Sequence, residues 1–119
     1  MSRQSLGSSG EDLAADRLGA AGWRIIARNW RCRHGEIDIV AEEPDGPTVV
    51  FVEVRTRSSL RSGHPLESIG ARKRRTLRTL AGAWLAEQPQ WIPQFRIDVI
   101  GIVWPPDGQP ELTHLRGLS

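Results

Sequence analysis

The stretch GEIDIVAEEPDGPTVVFVEVRTR, from Gly35 to Arg57, constrains the fold more than any other part of the chain. Two runs of β-branched and apolar residues flank Pro44-Asp45-Gly46-Pro47, which reads as two antiparallel strands joined by a short turn. If these four residues form the hairpin loop, Glu43 pairs with Thr48 and the register of both strands is set. One face then carries Ala41 against Val50, Ile39 against Val52 and Ile37 against Val54, a continuous apolar surface fit for burial. The other face sets Val40 against Phe51, Asp38 against Glu53 and Glu36 against Arg55. Carboxylates directly opposed on neighbouring strands have Cβ atoms about 4.5–5.5 Å apart, and like charges so placed destabilise a sheet. A cation between them removes that penalty, and a divalent ion with oxygen ligands, Mg²⁺ or Mn²⁺, is the simplest candidate. Two solvated acids on a half-exposed face are the competing reading, as is a register slipped by one residue.

A chain of 119 residues, 39% hydrophobic and 25% charged, suits a single globular domain, expected here over residues 9–115. The lone Cys32 cannot make an internal disulfide, and no Cys and His cluster has zinc spacing. The N-terminal MSRQSLGSSG lacks the apolar run of a signal peptide, and no stretch is long enough to span a bilayer. The chain is therefore expected in the cytoplasm, with no membrane partner. Its net charge is only +2, but of its 16 basic residues Lys73 is the only Lys. An Arg bias of this kind suits a phosphate-rich partner, because guanidinium forks match phosphate geometry. Genome base composition would produce the same bias.

Residues 1–8 are polar and Ser/Gly-rich, which predicts a flexible tail. Ser9 followed by Asp12 resembles a capping box opening a helix that runs to about Ala21 and stops at Gly22, with Leu13, Ala14, Leu18 and Ala21 as its apolar stripe. Glu11 falls in the first turn, where a carboxylate suits the helix dipole. WRIIARNW, from Trp23 to Trp30, predicts a first strand, with Ile25 and Ala27 alternating against Arg24, Ile26 and Arg28. Its two Trp residues are assigned to packing. Arg31, Arg33 and His34 make a basic turn before the hairpin. After Arg57 a Ser/Gly-rich loop contains one helical turn following Pro65. A second helix spans about Ala71 to Glu87 and buries Leu77, Leu80, Ala81, Trp84 and Leu85. Lys73 extends that core-facing stripe, while Arg72, Arg74, Arg75 and Arg78 spread around the rest. Cations at a helix start oppose the dipole, and an incoming phosphate would account for them; a merely well-solvated helix is the alternative. A further strand lies within QFRIDVIGIVW, residues 94–104, where Asp98 is expected to pair with a neighbouring Arg or Lys rather than with a metal. A short edge strand is expected over Glu111–Leu115. The order αβββαβ implies an α/β fold in which a right-handed crossover joins two parallel strands. The result is a mixed sheet with helices on both faces.

An acid in the first helix, Asp38 in the second strand and Glu53-Val54-Arg55 in the third resemble the PD-(D/E)XK, restriction-endonuclease-like nuclease fold. GEDLAADRLGAAGW, ARNWRCRHGEIDIVA, VFVEVRTR, the helix near Lys73, and RIDV resemble the YraN family of small bacterial proteins, themselves similar to Holliday-junction resolvases. The likeness covers roughly residues 10–104. It implies a metal-dependent endonuclease acting on DNA, including branched or junction structures, with a homodimer as the implied assembly. Asp38 and Glu53 would hold Mg²⁺ or Mn²⁺, with Glu11 as a further ligand, and Arg72, Arg74, Arg75 and Arg78 would bind the flanking backbone. Glu36 and Asp98 would play supporting parts, Glu36 as the cross-strand partner of Arg55. Similar nucleases carry Lys two residues after the Glu, where this chain has Arg55. Arg stays protonated and cannot act as a base. Either Lys73 takes over the water-orienting role while Arg55 clamps phosphate, or the chain is a nucleic-acid-binding protein that keeps the fold without catalysis.

Overall fold

A computed structural model describes residues 3–118. Its elements are α1 (Arg3–Ala20), β1 (Arg24–Cys32), β2 (Gly35–Glu42), β3 (Val49–Arg57), a 3₁₀ turn (Pro65–Ser68), α2 (Ala71–Ala86), β4 (Phe95–Val103) and β5 (Glu111–Leu115). The strands form one sheet in the order β1-β2-β3-β4-β5. All neighbours are antiparallel except β3 and β4, which run parallel and are linked through α2. This mixed α/β sheet with two helices is restriction-endonuclease-like, and β5 is the edge strand expected over Glu111–Leu115.

Each helix covers one face. Ala14, Ala15 and Leu18 of α1 pack with Ile39, Ala41, Val50, Val52, Ile100 and Ile102. Leu77, Leu80, Ala81 and Trp84 of α2 pack with Ile37, Val40, Val49, Phe51 and Ile97 on the other side. The end of α1 is closed by Gly22, whose φ of 94° is one that other residues rarely adopt. Trp23 N–H then reaches Leu18 O at 3.0 Å and Gly22 N–H reaches Gly19 O at 3.0 Å, while Trp23 and Leu18 share the same core.

The hairpin register is the expected one: Ile39 lies opposite Val52, Val40 opposite Phe51, Ala41 opposite Val50, and Glu43 N–H donates to Thr48 O at 3.2 Å. Three local expectations are corrected. The first concerns α1, which begins at Arg3 rather than at Ser9, so Ser9 is no cap and Glu11 lies mid-helix, away from the dipole argument made for it. Of the expected tail, Met1 and Ser2 lie outside the described residues and the chain is helical from Arg3. The second is in β1, where a bulge between Ile25 and Ala27 breaks the simple alternation. Ile25 packs on the α1 side while Ile26 and Ala27 pack on the α2 side. The third is Ile37, which is buried on the α2 side and not beside Ile39. Among the described residues no helix is long and apolar enough to cross a membrane.

Candidate metal centre

The displacement of Ile37 marks the place where the sheet opens. Residues two apart on a regular strand share a face, yet Ile37 and Ile39 lie in opposite cores, so β2 turns over at Asp38. Two observations explain the turn. Across on β1, Asn29 has a φ of 52° and drops out of the ladder, leaving Arg28 paired with Ile39 and Trp30 with Ile37. On the β3 side, Val54 N–H donates to the Asp38 carboxylate, Oδ2, at 2.8 Å, and the pairing with β3 ends at Ile39–Val52. Asp38 is thereby swung into a cavity of about 570 Å³ at the junction of α1, β1, β2, β3 and α2. Glu11 enters that cavity from α1, Asn29 and Arg31 from β1, Glu36 from β2, Glu53 and Arg55 from β3, and Lys73 from α2.

The acids divide into two groups. Glu11, Glu36 and Asp38 each offer a carboxylate oxygen within 4.8 Å of the others. Glu53, only 5% exposed, turns towards the cations: its Oε2 is 3.1 Å from the Arg55 guanidinium and 3.2 Å from the Lys73 ammonium. Asp38 feels the crowding most. Burial, the charge of Glu53 and a hydrogen bond with Glu11 push its carboxyl up from 3.8 to about 9, against the opposing pull of Val54 N–H.

Lys73 therefore reaches the acidic strand from the first turn of α2, where Gly70 caps the helix without a side-chain bond. Arg55 contacts Glu53, which corrects the expected pair with Glu36. Glu36 instead accepts from Asn29 Nδ2 at 2.7 Å and meets Arg31 Nε at 3.5 Å. The correction follows from the opening of the ladder, which ends cross-strand pairing before Glu36 and Arg55 come opposite each other. Asp98 is fully buried outside this cavity, bonded by Arg96, His114 and Gly117 N–H at 2.7–3.0 Å. It has the partner expected of it and belongs to the fold. Arg72, Arg75 and Arg78 are exposed on α2, and Arg74 is half-buried; none of the four lines the cavity.

A family profile described as "Uncharacterised protein family UPF0102" matches residues 10–102. The chain belongs to this UPF0102 (YraN) family. A UPF0102 protein of Mycobacterium sp. strain KMS is 46% identical over 98% of this chain and 87% of its own length. Another, from Mycobacterium tuberculosis strain ATCC 25177 / H37Ra, is 49% identical over 100% of this chain and 95% of its own.

In this UPF0102 protein the residue that sequence reasoning missed is Asn29. Its amide bridges Glu36 Oε1 at 2.7 Å and Glu11 Oε2 at 3.2 Å. The signal was present, since Asn is depleted from strands and tolerates left-handed backbone better than most residues. Glu36 joins the acids rather than Arg55, held there by the Asn29 amide. The donor set fits a hard divalent cation: three carboxylates converge, and the nearby cations of Arg55 and Lys73 both bind Glu53 instead of the trio.

Proposed function

We propose that this UPF0102 protein is a metal-dependent phosphodiesterase acting on DNA. The observation that carries the reading is the meeting, in one cavity, of a carboxylate trio with a buried Glu53 held by both Arg55 and Lys73. Glu11, Glu36 and Asp38 would hold Mg²⁺ or Mn²⁺, with Glu53 beside them. The ion would lower the pKa of water and offset charge on the phosphate in an in-line displacement. Arg55, permanently charged and forked, suits a non-bridging phosphate oxygen. Lys73 carries three donors on a flexible stem and is the group suited to orienting the attacking water. Arg72, Arg75 and Arg78 extend positive charge along α2, where contacts to backbone phosphates position a duplex without reading its sequence.

The test is Mg²⁺- or Mn²⁺-dependent cleavage of linear, nicked, flapped and four-way DNA, with Glu53→Ala as control. The expected result is cleavage that needs the ion and disappears in the control. Arg55, standing where similar nucleases carry Lys, favours a second reading as a nucleic-acid-binding protein without catalysis. Tight, salt-sensitive DNA binding with no cleavage under any of these ions would select it.

A further inference from the structure

The three clustered carboxylates each have one oxygen already in use. Asn29 Nδ2 donates to Glu11 Oε2 and to Glu36 Oε1, and Val54 N–H donates to Asp38 Oδ2. Among the described residues the other oxygen of Glu36 meets Arg31 Nε at 3.5 Å, on a side chain that is 76% exposed. Glu11 and Asp38 also share a hydrogen bond, which a cation between them would replace, so each acid has one oxygen not held by an N–H of Asn29 or Val54 with which to bind a cation. Ca²⁺ takes six to eight oxygens in flexible geometry, often from bidentate carboxylates, whereas Mg²⁺ requires a near-ideal octahedron and keeps waters and phosphate oxygens in several positions. Three single-oxygen ligands suit the second kind of ion.

Resting on the phosphodiesterase reading above, we infer that Asn29 determines metal specificity. Its amide confines Glu11 and Glu36 to one oxygen each, beside an Asp38 already confined by Val54 N–H, and so selects a small octahedral cation over Ca²⁺. Asn suits the position on two counts. The neutral amide supplies two N–H donors without bringing a charge that would compete with the cation, as Lys or Arg would. The φ of 52° that takes residue 29 out of the ladder is one that Asn tolerates better than most side chains. Side chain and backbone act together, since the amide spans Glu11 and Glu36 from a residue that has left the regular strand.

Titration calorimetry of Mn²⁺ and of Ca²⁺ into metal-free wild type, Asn29→Gly and Asn29→Asp, with thermal unfolding of each, tests the inference. Gly keeps the left-handed backbone accessible and removes only the amide. Asp keeps the shape and the backbone tolerance while replacing the N–H donors by an acceptor, and it carries the same comparison if the Gly variant unfolds too readily to titrate. Wild type is expected to favour Mn²⁺. In both variants the ratio of Mn²⁺ to Ca²⁺ affinity should fall by about tenfold or more, the scale at which groups behind metal ligands act. An equal loss for both ions, as a purely structural role would give, or an unchanged ratio, overturns the inference while leaving the phosphodiesterase reading intact. A wild type that binds neither ion overturns both.

Discussion

Glu53 is the residue on which the charge balance of the cavity turns. With 5% of its surface exposed it holds two cations, so removal of one leaves the other in place. Removing both would strand a buried charge, at a cost of about 3–5 kcal/mol. Lys73→Ala is accordingly expected to lower turnover far more than DNA affinity, with little loss of stability, and Arg55→Lys to preserve or raise turnover. Single-turnover cleavage measured beside anisotropy titrations checks both, and full activity in Lys73→Ala would remove Lys73 from the mechanism. Asp38 carries a pH prediction. Its folded pKa lies above the unfolded 3.8, at about 9, so the stability it contributes is fully present below pH 4 and is lost as pH rises towards 9. Metal-free protein should therefore melt lower at pH 8 than at pH 5. Because the ion must displace that proton, Mn²⁺ affinity should climb across the same range and binding near neutral pH should release about one proton. Calorimetry in buffers of different ionisation enthalpy reads that release, and a pH-independent affinity would show that Asp38 is not a ligand.

Two contacts join neighbouring elements, one beside the cavity and one in the frame of the sheet. The first is the approach of α1 to β3: a Cβ at Gly10 would overlap Thr56 Oγ1, a buried hydroxyl without a hydrogen-bond partner among the described residues. Gly10→Val should push α1 away from the sheet at a cost of about 1–3 kcal/mol, the usual size of overpacking. Because Glu11 follows directly, metal affinity should fall with stability, as urea unfolding and calorimetry would register together. The second is Asp98, which ties β4 to β5 through His114, to the C-terminal segment through Gly117 N–H, and to the hairpin through Arg96, itself 2.6 Å from Glu43. Burial alone would raise the Asp98 carboxyl, but the bonds from His114, Arg96 and Gly117 outweigh it and hold it at about 2. A lowered folded pKa gives stability that is present above the unfolded 3.8 and lost as pH falls through 2, about 2 kcal/mol in all. Asp98→Ala should cost about 3–5 kcal/mol at neutral pH and abolish that acid step. A variant as stable as wild type would mean the network contributes nothing net.

Across the whole molecule, the acidic cavity and the exposed Arg72, Arg75 and Arg78 of α2 are joined by Lys73, which belongs to both. DNA affinity should fall steeply with salt, each neutralised phosphate contributing about −0.9 to the slope of log affinity against log salt on duplex DNA. Changing Arg75 and Arg78 to Ala should weaken binding to all sequences alike and flatten the slope by roughly one for each phosphate no longer neutralised. An unaltered slope in the double variant would move the binding surface elsewhere.

The hairpin register, both faces of the sheet, the parallel crossover and the edge strand at Glu111–Leu115 were legible because each rests on local periodicity or on a turn that only a few residues can make. Asp38 and Glu53 could be singled out because opposed carboxylates repel on neighbouring strands, whereas Glu11 was singled out only by the family resemblance, since an acid at an expected helix start has a local reason to be there. The parting of the strands at Asp38 was not legible. It depends on a left-handed Asn29 across the sheet and on a backbone N–H from Val54, groups distant in sequence that act on one carboxylate. The partner of Glu53 depended likewise on where α2 sets down its first turn, since a four-carbon side chain can reach solvent or a buried acid with equal local propriety. Periodicity determines which residues face inward; which of those then touch is decided by how far the strands separate and where the helices land.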